Sequence, residues 1–83
     1  MSINEAAQRA LRSLRTQVVT VVPEIDPDSV APGASLTQLG CSSIERAEIV
    51  VLTMEDLGLN VPMSDLAAAQ DVSSLVDVLG SHL

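Results

Sequence analysis

The chain has no phenylalanine, tyrosine or tryptophan, no lysine, one cysteine and one histidine. Without aromatics its interior must be assembled from Leu, Ile, Val, Ala and Met, which suits a helical bundle better than a β-sandwich, whose strands favour aromatic residues. A single cysteine excludes an internal disulfide, and Cys41 with His82 is too small a ligand set for a typical zinc site. Four arginines against eleven acids leave a net charge of −7. That charge repels nucleic acid and anionic membrane surfaces, so partners should present basic patches. No apolar run approaches the roughly 20 residues needed to span a bilayer. Glu5, Arg9, Arg12 and Arg15 stand where a signal peptide would be apolar. A cytoplasmic location is therefore expected, and the cysteine usage agrees with it.

The same poverty limits chemistry. A serine acting as its own hydrolase needs a base and an oxyanion site, and the lone histidine, His82, lies in the C-terminal tail. Glu45 and Glu48 resemble an acid–base pair, but on an exposed helix such pairs read as surface charge. Catalysis by this chain alone is not expected. Cys41, just before a helix start, reads either as an activated thiol or, by preference, as a small packing residue.

With 83 residues, the chain reads as one small domain over 1–83, near the size at which a single core becomes marginal. From Ile3 to Val22, the residues Ile3, Ala7, Ala10, Leu11, Leu14, Val18 and Val21 recur at three- and four-residue steps and predict an amphipathic helix. Arg9, Arg12 and Arg15 fall away from that stripe and read as a solvated face. Prolines at 23, 27 and 32, with Gly33 and Gly40, then exclude a long regular element up to Ser42. Ile25, Val30, Leu36 and Leu39 are expected to plug this long loop onto the bundle, with a short helical turn over Ser35–Leu39. After Gly58 and Pro62, Ser64 is expected to cap a short helix to about Ala69. Ser73 is expected to cap a last helix ended by Gly80, beyond which the tail frays.

The most informative stretch is Leu39–Leu57, LGCSSIERAEIVVLTMEDL. Ser42 and Ser43 are good helix-start residues, and Glu45 and Glu48 place negative charge in the opening turns, where the macrodipole favours it. A helix starting at or beside Ser43 would hold that hydroxyl on a rigid, exposed element near free backbone N–H groups that can receive an anion such as a phosphate. Ser43 is thus the candidate working residue, suited to carry a covalent phosphodiester. On a helical wheel Ile44, Ala47, Val50, Val51, Met54 and Leu57 share a broad arc, while Ile49 and Leu52 lie outside it. That is more apolar surface than one buried stripe requires. Glu48 and Glu55 border the edge formed by Ile44 and Val51. Two readings compete: the loop covers this strip, which the wheel alone favours, or the strip is a docking surface for basic enzymes.

Leu39-Gly40, two residues, Ser43-Ile44, an acid, and then Glu48-Ile49-Val50 resemble the attachment motif of acyl carrier proteins. GLNVP over Gly58–Pro62 falls where that family closes its second helix, and the likeness runs without a gap from about Leu36 to Leu79. The resemblance implies an all-α four-helix bundle, three main helices plus one short, with a long first loop. It also implies a 4'-phosphopantetheine arm received from coenzyme A at Ser43 through a separate transferase, with an acyl group held as a thioester. It reverses the preference on the wheel, because the matching edge is the family's recognition helix. Ile44, Ala47, Glu48, Val51 and Glu55 carry over as docking residues, and Ile49, Val50, Thr53 and Leu57 as core. One departure is Ser42, where the family usually has Asp, which bears on transferase recognition and on which serine is modified. Arg46 and Thr53 also make the helix less uniform than in many relatives.

The freestanding length and the run CSSIERAEIV are similar to discrete donor carriers of polyketide β-branching cassettes. This likeness implies a monomer holding an acetyl unit, made from malonyl by decarboxylation, for an HMG-CoA-synthase-like enzyme. Phosphopantetheinyl transferase, a ketosynthase-like decarboxylase and an acyltransferase would be its other partners. The alternatives are a fatty-acid or peptidyl carrier, the latter usually with a second glycine where Cys41 stands, and an unmodified acidic helical adaptor.

Overall fold

The structure is a computed structural model and describes residues 5–83. Its order is α1 (Glu5–Val21), a 3-10 turn (Pro27–Ser29), α2 (Ser43–Leu57), α3 (Met63–Ala67) and α4 (Val72–Gly80). There is no strand among the described residues. This is the all-α arrangement of three main helices and one short one, with the long loop between α1 and α2. Ile3, the predicted first member of the α1 stripe, lies outside the described residues.

Helix α1 is the element on which the others pack, touching α2, α4 and the 3-10 turn. Its apolar period explains this: Ala10, Leu14 and Val18 are fully buried, while Ala7, Leu11 and Val21 pack at the edges of the same core. The long loop is plugged as the sequence suggests, with Ile25, Val30 and Leu36 buried and Leu39 packed against them. The helical turn at 35–39 is present as a hydrogen-bonded turn, Leu39 N–H donating to the Ser35 carbonyl at 3.1 Å. The arginines of α1 do not behave alike. Arg9 and Arg12 are exposed, whereas Arg15 is half-buried and its Nε donates to the Val30 carbonyl at 3.0 Å, tying loop to helix. Ser13, on a polar position of the sequence, is buried because its Oγ donates to Asp56 of α2 at 2.6 Å.

Two predicted caps are misplaced. Helix α3 begins after Pro62 without a side-chain cap, so Ser64 lies inside it, and the helix stops at Ala67 rather than Ala69. Helix α4 is capped by Asp71, whose carboxylate accepts from Ser74 N–H at 2.8 Å, so Ser73 is already in the first turn. The tail closes in hydrogen-bonded turns, His82 and Leu83 N–H donating to the Leu79 and Gly80 carbonyls, and His82 is exposed. Gly58 ends α2 in the left-handed region, with φ of 70°. There its N–H donates to Glu55 and the Leu59 N–H to Met54, closing the last carbonyls as glycine at this position allows.

Candidate functional site

The start of α2 is built by a reciprocal pair of bonds. Ser42 is the N-cap, its Oγ accepting from Glu45 N–H at 3.1 Å, while the Glu45 carboxylate accepts from Ser42 N–H at 2.8 Å. This capping box satisfies two of the donors a helix start leaves open. It occupies Ser42 and Glu45, and it places Ser43 at the first helical position with an exposed side chain. Among the described residues, the Ser43 hydroxyl and the N–H groups of Ser43 and Ile44 make no hydrogen bond. The opening turn thus presents one uncommitted hydroxyl beside two uncommitted N–H groups. Of the two adjacent serines, Ser42 holds the helix and Ser43 is left over.

The loop that approaches this turn is set by Gly40 at φ of 99°, a conformation that L side chains rarely adopt. It turns Cys41 inward, where it is buried with its N–H donating to the Leu36 carbonyl. Burial first, and Glu45 second, push the Cys41 thiol above its ordinary pKa, with Arg46 opposing them. The packing reading of Cys41 therefore holds, and the activated-thiol reading does not.

All five docking residues inferred from the family likeness are exposed: Ile44, Ala47, Glu48, Val51 and Glu55. Ile44 is 81% exposed and Val51 40%, so the loop does not cover the strip, contrary to what the wheel alone favours. The buried residues of α2 are Ile49, Val50, Thr53 and Leu57, the set the likeness implies, with Thr53 Oγ1 satisfied by the Ile49 carbonyl at 2.7 Å. The apolar arc drawn on the wheel is split by the fold. Its members Val50 and Leu57 are buried in the core, Ile44, Ala47 and Val51 are exposed, and Ile49, placed outside the arc, is fully buried. Counting apolar positions cannot tell which side of the arc the neighbouring helix takes.

Sequence reasoning missed the surroundings of the turn. A polar cleft of about 380 Å³ is lined by Ser35, Thr37, Arg46, Ala67, Ala69 and Gln70. The signal available was Arg46 itself, the one cation outside the first fifteen residues. A more apolar cleft of about 200 Å³ lies among Ala7, Leu11, Pro32, Val72 and Val76, with no α2 residue in its lining. Among the described residues no three His, Cys, Asp or Glu cluster to hold a metal, and no helix is long and apolar enough to cross a membrane.

Comparison with known proteins agrees with this geometry. Residues 12–79 match the family model described as phosphopantetheine attachment site. The chain is 36% identical over 72 residues to the polyketide biosynthesis acyl-carrier-protein AcpK of Bacillus subtilis (strain 168), covering 87% of this chain and 88% of that one. It is 30% identical over 66 residues to the mitochondrial acyl carrier protein 2 of Arabidopsis thaliana, covering 78% of this chain and 52% of that longer one. A solved structure, the curacin biosynthetic pathway HMG synthase in complex with acetyl donor-ACP, contains a chain that superposes with a TM-score of 0.82 at 33% identity. That match covers 98% of this chain and 99% of the other. An exposed serine at the mouth of a capped second helix, in a fold and sequence shared with these proteins, marks the chain as a member of the phosphopantetheine-attachment family, an acyl carrier protein whose cofactor is covalently bound 4'-phosphopantetheine.

Proposed function

We propose that residues 1–83 form one carrier domain whose Ser43 Oγ is the tether. In this reading the carrier holds an acetyl unit, derived from malonyl, for an HMG-CoA-synthase-like enzyme in polyketide β-branching. The observation that carries the attachment site is the division of labour at the α2 start. Ser42 is committed to the capping box, whereas the Ser43 hydroxyl is exposed and makes no hydrogen bond among the described residues. The residues present fit the group. A phosphodiester on Ser43 would lie beside the uncommitted N–H groups of Ser43 and Ile44, at the end of the helix where an anion is favoured. When bound, the arm supplies a thiol that holds the acyl group as a thioester. The chain's own residues supply position and recognition.

The docking edge follows from the same helix. Ile44 and Val51 offer apolar contact with the flanking carboxylates of Glu48 and Glu55, a pattern that steers and orients a basic enzyme surface. The pathway rests on likeness to a polyketide carrier and to a carrier solved with an HMG synthase. The partners expected are phosphopantetheinyl transferase, the HMG-CoA-synthase-like enzyme, a ketosynthase-like decarboxylase and an acyltransferase. The protein is expected to act as a monomer.

The test is an intact mass after treatment with coenzyme A and a broad-specificity transferase. One arm-sized increase is expected, lost in Ser43→Ala and retained in Ser42→Ala. The reverse pattern would move the tether to Ser42, and no increase in the unsubstituted protein would favour an unmodified adaptor. The acetyl-loaded carrier should then serve an HMG-CoA-synthase-like enzyme. Acceptance by elongating fatty-acid synthases alone would sink the β-branching role.

A further inference from the structure

The polar cleft beside the α2 start places Arg46 with Ser35, Thr37 and Gln70. Arg46 is the only one of the four arginines outside α1. It also has no carboxylate at the helical positions where one could reach it, since Ser42, Ser43, Ile49 and Val50 occupy the places three and four residues away. Among the described residues its guanidinium makes no hydrogen bond or ion pair. In a chain with eleven acids an arginine left without a carboxylate is available for an outside anion. Around it the cleft offers the hydroxyls of Ser35 and Thr37 and the amide of Gln70. Ala67 and Ala69 have side chains too short to fill the space.

Ser43 and Arg46 are three residues apart on α2, which places them on neighbouring positions of one helix face. A long flexible arm rooted at Ser43 can therefore fold back and bring its free end to the guanidinium. The two acyl groups in the proposed reaction sequence differ in one respect that this cleft can sense: malonyl ends in a carboxylate and acetyl in a methyl. We infer that the cleft lined by Ser35, Thr37, Arg46 and Gln70 is a subsite for a carboxylate-bearing acyl end, which holds the malonyl form and releases the acetyl form. This rests on Ser43 being the tether. A guanidinium fork pairs with a carboxylate through two parallel N–H donors, while the hydroxyls and the Gln70 amide can donate to its remaining lone pairs. A methyl group offers none of these partners. Loss of CO₂ breaks the bond between the methylene and the carboxyl carbon and leaves the electron pair on the thioester enolate. A proton from the decarboxylating enzyme or solvent then completes the methyl, so the group that Arg46 holds departs with the reaction. The cleft would thereby distinguish carrier before decarboxylation from carrier ready for delivery. Because Arg46 is exposed, the pairing is expected to weaken with salt.

The experiment uses the full chain with isotope-labelled arginine and backbone amides, in unloaded, acetyl and malonyl forms of the armed protein, each verified by intact mass. The mass step tests the tether separately, so a chain that takes no arm overturns the proposed function rather than this subsite. The malonyl form is expected to shift the Arg46 Nε–H signal and the amides of Thr37, Ala69 and Gln70 relative to the acetyl form. High salt should reduce the difference. Arg46→Gln should abolish it while leaving the remaining amide spectrum and the mass increase unchanged, and Arg46→Lys should retain part of it. Superimposable acetyl and malonyl spectra at these signals would overturn the subsite. So would a shift common to all three armed forms, which would assign Arg46 to the arm's phosphate, or a malonyl-specific shift that survives Arg46→Gln.

Discussion

Helices α2 and α4 begin in the same way and finish the job differently. Each has an oxygen-bearing N-cap, Ser42 in one and Asp71 in the other, whose side chain accepts from the N–H three residues on. In α4 the loop completes the turn: Val72 N–H donates to the Ala34 carbonyl at 2.8 Å and Ser73 N–H to Pro32 at 3.1 Å, while Val72 itself is buried. In α2 the corresponding N–H groups, of Ser43 and Ile44, have no such acceptor among the described residues, and both side chains point to solvent. A helix start stabilised by its own fold is structure. One left with open donors and a free hydroxyl is available to a visiting enzyme and to a phosphate.

Substitutions should separate the two starts by size of effect. Val72→Ala removes two buried methyl groups from the sealed turn and should lower stability by roughly 2 kcal/mol in denaturant titration. At the open turn Ser42→Ala removes the capping box and should cost about 1 kcal/mol, with increased amide exchange confined at first to the start of α2. A loss as large as that of Val72→Ala would mean the α2 start is packed as firmly as the α4 start.

The Asp71 cap adds a dependence on pH that Ser42 lacks. The hydrogen bond from Ser74 N–H holds the Asp71 carboxyl below its ordinary pKa. Its contribution is therefore present above the unfolded pKa and is lost as pH falls through the lower, folded value. Asp71→Asn keeps the cap without the titration and should flatten the acid limb of the stability curve, while Asn in place of Ser42 should leave that limb unchanged. The smallest effect on folding is expected from Ile44→Ala, within about 0.5 kcal/mol, because that side chain is 81% exposed. Binding to a partner enzyme should instead weaken measurably by calorimetry. A change confined to stability would mean that Ile44 is a packing residue after all.

Much of this was legible from local chemistry. The α1 stripe predicted its own burial, and Gly58 and Gly40, both at positive φ, marked the ends of regular structure. The choice of Asp71 over Ser73 and of Pro62 over Ser64 was less so, since several residues at each junction can cap and the surrounding chain decides which one reaches the turn. Nor did charge pattern distinguish Arg15, drawn to the Val30 carbonyl by the loop's path, from its exposed neighbours Arg9 and Arg12.

By itself the sequence determined the helical class, the place where α2 starts and the serine pair at its mouth, because helix periodicity, capping and turn preferences are settled within a few residues of one another. Only the tertiary structure decided which apolar residues of α2 are buried and which are exposed. It also decided that Arg46 opens on a polar cleft formed with residues of the long loop and of the α3–α4 segment. Those outcomes depend on which surfaces meet across the long loop, and residues distant in sequence are brought together by packing, which no local period encodes.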